Sequence, residues 1–464
     1  MRRAAKRTNK TSGIKIMAGL LSVAGIMGAG YVYTAPQFER QAPQIEIQES
    51  LFWNRKNPLQ IKLADNVALK NFELILNDGK TSLIVGKGEF GEATKEQILQ
   101  VGYPKSNTLD SKATRLKLQI SVNDDSLWNF LKGNHAQKTI DIHVDYKSPD
   151  VNILANTRTI TQGGSALVVF RAEDENLDTL HIRAAGETFK AVPYKEEGYY
   201  AALIAWPFLY QDNFKAEVVA TDLAGNTRVV HVPLYIKTHQ YKVSWIQATD
   251  NFIDGKITDL ISSDPEYATI EDKLEKFRAV NETMRLKNED KIHTLGRKIS
   301  DAMIQNWQIK KFYPLRNGQR VAGFGDTRHY YYDNKEQEVS RSYHLGHDFA
   351  STKMATIKTS NPGVVVYAGD NGIYGNMPMI DHGLGLYTLY GHCSQVLVKE
   401  GDKVQEGQDI GKTGTTGLAL GDHLHFGVLV QGVEVQPMEW YDASWIKINI
   451  DDIFKAANKI IEGK

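Results

Sequence analysis

Five side chains in the last third of the chain have types and spacing that suit the binding of a metal ion. His344 and Asp348 stand four residues apart in Y-H-L-G-H-D-F, and His423 and His425 stand two apart in G-D-H-L-H-F-G. His392 lies between these runs, in L-Y-G-H-C. Two imidazole nitrogens and one carboxylate, with a fourth position left open, are a common arrangement at catalytic zinc. His344, Asp348 and one histidine of the H-L-H pair would supply such a set.

The H-L-H run also predicts how its two histidines are presented. In a strand, residues two apart point to the same side, so His423, His425 and Gly427 share one face. The other face carries the apolar residues Leu424, Phe426, Val428 and Val430. Burial of the apolar face leaves two imidazoles beside a glycine that occupies little space. We interpret the histidine face as the floor of a cleft.

The order of these motifs resembles the LytM/lysostaphin-type zinc endopeptidases, family 23 of the metallopeptidases. The resemblance covers about residues 320–440 and includes H-x-G-x-D, Y-G-H and H-L-H-F-G, together with the connecting run T-G-T-T-G-L-A-L-G-D-H. An H-x-H pair alone is weakly specific, whereas the ordered set is highly specific. The resemblance implies one zinc ion held by His344, Asp348 and His425. It also implies that His392 and His423 act on the attacking water and on the developing oxyanion.

The function implied by the resemblance is that of a zinc peptidase of the cell wall. Its substrates would be stem peptides or cross-links of peptidoglycan, cut by endopeptidase or carboxypeptidase action. One alternative is a non-catalytic relative that activates another cell-wall hydrolase, but such proteins lose ligands and this chain has the whole set. A scaffold protein would leave the histidines unexplained. A biotinyl or lipoyl carrier shares the run E-G-D-K-V-Q-E-G-Q-D-I-G but needs a lysine at a hairpin tip, and the expected place has none.

The N-terminal segment predicts a membrane anchor. It is basic, with Arg2, Arg3, Lys6, Arg7, Lys10 and Lys15. Residues 16–34 are uncharged over about the length of a membrane span, whereas the apolar core of a cleaved signal peptide, the alternative, would be shorter. We expect residues 1–15 in the cytoplasm and the bulk of the chain in the periplasm, as a single-pass protein of the inner membrane.

The charge balance and the cysteine content limit which partners and which covalent links the chain can have. The 55 basic and 55 acidic residues balance, so nothing indicates a nucleic-acid partner. Cys393 is the single cysteine, so no internal disulfide can form. We expect its thiol to be a small buried group rather than a nucleophile. The resemblance implies peptidoglycan as a partner, and the N-terminal segment indicates the membrane.

Strand and turn patterns predict two β-sandwich modules, at residues 37–147 and 148–240. Short alternating runs are separated by turn residues in both. The ending A-T-D-L-A-G-N-T-R-V-V resembles immunoglobulin-type bacterial surface modules. The modules would act either as spacers or as binding sites for envelope proteins.

The rest of the chain predicts a helical segment, a peptidase domain and a closing helix. In residues 241–315 the box Ser263-Asp264-Pro265-Glu266 predicts a helix start, and a second helix is expected from His293 to Trp307. Residues 316–442 would be the zinc peptidase domain, and residues 443–464 the closing helix. The expected fold class is a multidomain, mainly β protein: a transmembrane helix, two β-sandwich modules, a helical linker and an antiparallel β-sheet zinc peptidase domain.

We also expect the upstream half to restrain or position the site. An open zinc position can be closed by an oxygen from a neighbouring segment. Candidates are the acid-containing helix and the segment before His344, which includes Asp326, Asp333 and Glu336. The part from Tyr330 to Arg341 is predicted to be a loop near the cleft. A plain stalk is the alternative.

Overall fold

The computed structural model of the chain describes residues 10–106 and 108–463. Contacts divide the chain into two compact units, Met1–Ser148 with Asp222–Asn226, and Pro149–Thr221 with Thr227–Lys464. The predicted fold class is confirmed, since the chain is mainly β with an apolar helix near the N-terminus and an antiparallel sheet in its C-terminal part. The basic residues Arg2, Arg3, Lys6 and Arg7 lie outside the described residues.

One long helix, Lys10–Thr34, occupies the N-terminal part. Its stretch Ile14–Thr34 is long and apolar enough to cross a membrane, and it is not buried against the rest of the chain. A membrane anchor and a signal sequence share this length and composition. The helix is followed by a short 3-10 turn, Pro36–Phe38.

The first unit contains two sheets around a core of its own. Its strands are β1 (Gln44–Glu46), β2 (Ser50–Trp53), β3 (Leu59–Ala64), β4 (Leu69–Asn77), β5 (Ser82–Glu89), β6 (Glu96–Val101), β7 (Arg115–Asp124) and β8 (His135–Val144). They form sheets of order β1-β3-β6 and β2-β8-β7-β4-β5. A short turn of helix, Trp128–Leu131, joins β7 to β8. Leu118 and Ile120, two apart on β7, are fully buried, as alternation in a one-sided sheet requires.

The second unit begins with a further pair of four-stranded sheets. Its strands are β9 (Asp150–Asn156), β10 (Thr159–Thr161), β11 (Ser165–Glu173), β12 (Leu177–Ala184), β13 (Glu187–Lys190), β14 (Val192–Pro193), β15 (Tyr199–Ala205), β16 (Ala216–Asp222), β17 (Thr227–His231) and β18 (Tyr235–Lys237). The sheet orders are β14-β15-β11-β9 and β13-β12-β16-β17, and β10 pairs with β18. We refer to residues 149–240 as the second sandwich.

Two helical stretches follow, and the first corrects our expectation. Asp250–Phe252, the π-helical Ile253–Ile257 and Thr258–Ser263 form one stretch that ends at Ser263 instead of starting there. Asp264 precedes a proline and is extended, at φ −117° and ψ 114°, because a following proline disfavours the helical conformation. The next helix starts at Lys273, where the side chain of Asp272 accepts a hydrogen bond from the backbone N–H of Glu275.

The second helical stretch is longer and ends earlier than predicted. Lys273–Arg278, the π-helical Ala279–Met284 and Arg285–Gly296 are continuous. The predicted helix from His293 to Trp307 is wrong beyond Gly296. Ile304 instead exchanges backbone hydrogen bonds with Pro193 and Lys195 of the second sandwich, and this pairing outweighs local helix preference.

The remaining strands build the C-terminal part. They are β19 (Val243–Gln247), β20 (Gln319–Ala322), β21 (Asp326–Tyr331), β22 (Glu338–His344), β23 (His347–Ala350), β24 (Thr356–Lys358), β25 (Gly363–Asp370), β26 (Asn376–Asp381), β27 (Leu386–Gly391), β28 (Gln395–Val396), β29 (Lys403–Val404), β30 (Asp409–Lys412), β31 (Leu424–Val430) and β32 (Val433–Val435). The main sheet has the order β20-β23-β31-β27-β26-β25-β29, with β32 on β31. Residues 332–337 of the expected loop connect two strands, whereas its ends, from Tyr330 and up to Arg341, belong to β21 and β22, which pair with each other as a hairpin.

Two hydrophobic cores position the main sheet. The helical stretches pack on one side of it, where Phe277 and Met284 join Met379 and Leu429 in one cluster. The second sandwich shares another core with the sheet. Buried Gln431 joins these two parts, because its side chain hydrogen-bonds the backbones of Lys190 and Leu203.

The chain closes with helices that continue the second core. Their bounds are Pro437–Tyr441, Ala443–Ile446, the π-helical Lys447–Asp451 and Asp452–Ile461. Trp440 and Phe454 are buried in the core shared with the second sandwich. Thr157 donates a hydrogen bond to the carbonyl of Asn449 at 2.9 Å. The second sandwich is therefore tied to both the sheet and the closing helices.

Candidate metal centre and cleft

Three strand ends bring His344, Asp348 and His425 together. His344 ends β22, Asp348 lies on β23, and His425 lies on β31. Asp348 pairs directly with His425 in the antiparallel register of β23 and β31, so their side chains share one face. Gly346 makes the close approach possible: a Cβ there would lie 2.6 Å from His425 Nε2 and from the Phe426 carbonyl.

The donor atoms of these residues form a compact triangle. His344 Nε2 is 3.0 Å from Asp348 Oδ1 and 3.2 Å from His425 Nδ1, and His425 Nδ1 is 2.9 Å from Asp348 Oδ1. Tetrahedral zinc with bonds of about 2.0–2.1 Å separates its ligand atoms by roughly 3.3 Å. The three atoms therefore fit a zinc ion with little movement.

Hydrogen bonds orient the first imidazole for this role. His344 Nδ1 is 2.8 Å from the carbonyl of Gly323. A carbonyl can only accept, so Nδ1 carries the proton and Nε2 keeps a lone pair for a metal. His425 Nε2 is buried and has no hydrogen-bond partner among the described residues.

Burial and mutual attraction shift the pKa values of the proposed metal ligands. Burial alone would raise the pKa of Asp348, but the attraction of His344 and hydrogen bonds with His344 and His425 outweigh it, so the pKa lies well below its ordinary value. Burial lowers the pKa of His425 to about 4. A carboxylate and neutral imidazoles are the protonation states that metals bind.

His392 and His423 lie beside this triangle with their rings 4.7 Å apart. His392 Nδ1 donates to the Thr416 carbonyl at 2.8 Å, and His423 Nδ1 donates to the Gly421 carbonyl at 2.7 Å. Each Nε2 therefore has a free lone pair. His423 Nε2 is 3.7 Å from Asp348 Oδ1.

The backbone at His392 is strained in a way that suits a functional residue. His392 follows β27 with φ +63°, a region that residues other than glycine seldom adopt. Its N–H bonds the carbonyl of Tyr374 at 2.8 Å. Burial, and then the neighbouring His423, lower the pKa of His392 to about 3, which keeps the ring neutral at physiological pH.

Two neighbouring candidates take structural positions. His347 is buried, and its ring centroid is 5.6 Å from that of Tyr441, away from the donor triangle. Alternation along β23 explains this, since adjacent residues point to opposite faces. The Cys393 thiol is buried, and burial raises its pKa to about 12, so it is no nucleophile.

A cleft of about 670 Å³ opens on the five residues. Several lining residues come from the helical segment and from β19 and β21: Ile246, Gln247, Thr249, Asn251, Phe252, Arg285, Arg328 and Tyr330. Lys256 Nζ also donates to the carbonyl of Thr415, at 2.5 Å, beside the residue that orients His392. Sequence patterns did not indicate this wall, because no motif marks it.

The three acidic residues named as candidates for closing the open zinc position do not reach the donor triangle. Asp326 is buried, with one oxygen accepting from Ser244 and the other 3.5 Å from Arg328 Nε. Asp333 and Glu336 are exposed. Within the described residues, the upstream segment forms a wall of the cleft and leaves the triangle open to it.

Residues 342–437 match the profile of peptidase family M23. The chain carries an M23 peptidase domain. The match includes all five site residues, β23, β27, β31 and the end of β22, and it excludes the helical wall and β21. The resemblance in the sequence motifs to the LytM-type peptidases is thereby confirmed.

Two curated relatives are similar to part of this chain. Peptidoglycan DD-endopeptidase ShyA of Vibrio cholerae is 37% identical over 127 residues, 27% of this chain and 29% of that protein. DD-carboxypeptidase/endopeptidase Mpg of Neisseria meningitidis is 39% identical over 95 residues, 20% of this chain and 22% of that protein. The chain thus spans less than a third of the length of either relative.

Two solved structures are also similar to parts of this chain. A crystal structure described as an M23 peptidase from Pseudomonas aeruginosa aligns with 61% of this chain and 95% of that chain, at 21% identity and a TM-score of 0.39. The catalytic domain of lysostaphin from Staphylococcus simulans aligns with 27% of this chain and 92% of that chain, at 30% identity and a TM-score of 0.23.

Proposed function

We propose that this protein is a zinc metallopeptidase that cleaves peptide stems or cross-links of peptidoglycan. The observation that carries the proposal is the triangle of His344, Asp348 and His425 donor atoms, 2.9–3.2 Å apart at the floor of a cleft. The substrate class follows from the M23 domain and from the relatives that act on peptidoglycan. Both endopeptidase and carboxypeptidase action are compatible with it.

In the proposed mechanism, one zinc ion would be held by His344 Nε2, Asp348 Oδ1 and His425 Nδ1. When bound, zinc would supply a Lewis acid for the attacking water and the scissile carbonyl. His392 Nε2 or His423 Nε2 accepts the proton of the attacking water and returns it to the departing amine. The other imidazole stabilises negative charge on the carbonyl oxygen only when it carries a proton on Nε2 and can donate a hydrogen bond. His392, which burial keeps neutral, is less suited to this donor role than His423.

The rest of the chain would place this chemistry in the cell envelope. We propose that Ile14–Thr34 anchors the chain in the inner membrane, with the M23 domain in the periplasm. Residues 37–147 and 148–240 would be two modules, the second immunoglobulin-like, available to envelope protein partners. A DNA- or RNA-directed function has no support in the balanced charge.

The test is digestion of purified cell wall by the whole chain, with and without a chelator. Release of peptide fragments that stops on chelation and returns with zinc supports the proposal. The Cys393→Ser protein is the matched control, since the change lies beside His392 but removes no proposed ligand or base. Absence of cleavage by the zinc-loaded protein, together with stimulation of a second cell-wall hydrolase, would favour the non-catalytic activator.

A further inference from the structure

The guanidinium group of Arg328 faces the cleft and has only long polar contacts among the described residues. The residue lies on β21 and lines the cleft with His344 and Asp348. Its Nε is 3.5 Å from Asp326 Oδ2, and its Nη2 is 4.0 Å from Asp348 Oδ2. A guanidinium has five N–H donors, and among the described residues these long contacts are its only polar partners. Its donors are therefore available to a ligand.

The surrounding strands hold Arg328 in this orientation. Asp326, Arg328 and Tyr330 alternate along β21 and therefore share one face, and both Arg328 and Tyr330 line the cleft. Arg328 pairs with Ser244 of β19 and with Ser342 of β22. Both partners are small, so they leave room for the long side chain, which is 21% exposed.

A second arginine in the cleft shows the contrast. Arg285 also lines the cleft, but its Nε donates to the Asn281 carbonyl at 3.0 Å and its Nη2 to Asn281 Oδ1 at 3.2 Å. Its Nη1 is 3.9 Å from Glu289 Oε1. Arg285 thus contributes charge but has most of its donors occupied by the helix that carries it.

The carboxylates of the cleft are already engaged. Arg285, Arg328, Asp348 and Asp422 are its charged lining residues apart from histidines. Asp348 belongs to the donor triangle, and Asp422 accepts from Thr413 Oγ1 and from the backbone N–H of Met354. Both carboxylates of the cleft therefore already accept hydrogen bonds, whereas the N–H donors of Arg328 have only long contacts, which suits the oxygens of an anionic part of a substrate.

We infer that Arg328 binds a carboxylate of the peptide substrate and so selects peptides with a free carboxylate near the scissile bond. The inference rests on the proposed peptidase function. A guanidinium matches the planar, two-oxygen geometry of a carboxylate. Arg328 lies outside the residues that match the family profile, so the selection would be a property of the wall this chain adds to its M23 domain.

The test compares two versions of one substrate with the whole chain in detergent. The probes are cross-linked stem-peptide dimers released from purified peptidoglycan, and the same dimers with their carboxylates converted to carboxamides. We expect kcat/KM about 10- to 100-fold higher for the carboxylate form, the range of a hydrogen-bonded charge. Arg328→Gln should reduce this ratio to about one, mainly by raising KM for the carboxylate form. Arg328→Lys should restore part of the ratio.

Arg341→Gln is the matched control. Arg341 lies on the neighbouring strand β22, where its side chain donates hydrogen bonds to the exposed Glu338 and does not line the cleft. It should keep the ratio. An unchanged ratio in Arg328→Gln overturns the inference. An equal loss of activity on both substrates, or a loss of zinc, also overturns it, because either result would mark Arg328 as a positioning residue for Asp348. Equal cleavage of both forms by the unaltered protein overturns this inference alone. Cleavage of neither form overturns the proposed function as well.

Discussion

Asp348 and His425 face each other across the antiparallel pair of β23 and β31, with Asp348 Oδ1 2.9 Å from His425 Nδ1. The register of two strands thus brings together residues that are 77 positions apart in the chain. A shift of either strand by one residue would turn its side chain to the opposite face and separate the two donors. The strand pairing of the main sheet therefore determines the geometry of the proposed metal centre.

Removing any one proposed ligand should abolish metal binding. We expect His344→Ala, Asp348→Ala and His425→Ala each to lose the single zinc ion, because too few protein ligands remain. Elemental analysis of the purified proteins measures the zinc content, with Cys393→Ser as the control that keeps it. Full zinc occupancy in His425→Ala would contradict the ligand assignment.

The two neighbouring histidines should affect turnover instead of metal binding. His392→Ala and His423→Ala are expected to keep zinc and lose roughly 10²–10⁴-fold in kcat, the usual contribution of a positioned acid–base group. His347→Ala should matter far less for kcat, since His347 lies away from the donor triangle. If His423→Ala lost zinc while His425→Ala kept it, the roles of these two residues would have to be exchanged.

Gly346→Ala should damage the metal centre without removing a ligand. The new Cβ would lie 2.6 Å from both His425 Nε2 and the Phe426 carbonyl, so β31 or the ring must move. We expect a loss of about 1–3 kcal/mol in the free energy of unfolding and weaker zinc binding in a competition titration. Gly323→Ala is the control, because a Cβ there meets no atom within 4 Å. Equal zinc affinity in both variants would argue against a tight fit at Gly346.

The contact between Glu439 and the second sandwich should make stability depend on pH. Glu439 Oε2 accepts from the backbone N–H of Ser165 at 2.8 Å, and burial raises the pKa of this carboxyl from 4.5 to about 8. The folded state therefore holds a proton that the unfolded chain releases above pH 4.5. The stabilisation is complete below that pH and is lost as pH rises through 8.

Glu439→Gln removes this titration. We measure the free energy of unfolding of both proteins by chemical denaturation. We expect the unaltered protein to lose stability relative to the variant as the pH rises from 5 to 9. Other buried carboxyls, such as Glu289, whose pKa burial raises to about 7, occur in both proteins and cancel. A constant difference across pH would refute the assignment.

Truncation should separate support from restraint by the upstream segment. A fragment starting at Pro314 lacks Phe277 and Met284, which share a core with Met379 and Leu429 of the main sheet. We expect it to unfold at lower denaturant concentration and to cleave more slowly than a fragment starting at Pro149, since the cleft also loses Arg285. A faster Pro314 fragment would instead support restraint of the site by the upstream segment, and equal rates would support a plain stalk.

Local patterns carried much of the prediction of the site and fold class. Alternation in G-D-H-L-H-F-G placed two histidines on one face with an apolar face behind, and β31 is buried along its length. Period-two runs likewise indicated the sheets, and the uncharged run 16–34 indicated the long apolar helix. These features follow from neighbours in sequence, which share one strand or helix.

Tertiary packing decided the rest. The Ser263 box is a helix end, the segment after Gly296 pairs with the second sandwich, and the ends of the loop expected before His344 pair as a hairpin. Arg328 belongs to the cleft only because β21 lies between β19 and β22. The sequence alone determined the kinds of donor and their strand faces. Strand register and packing between distant segments decided which nitrogen approaches Asp348 and which walls close the cleft, because these depend on contacts that no local pattern encodes.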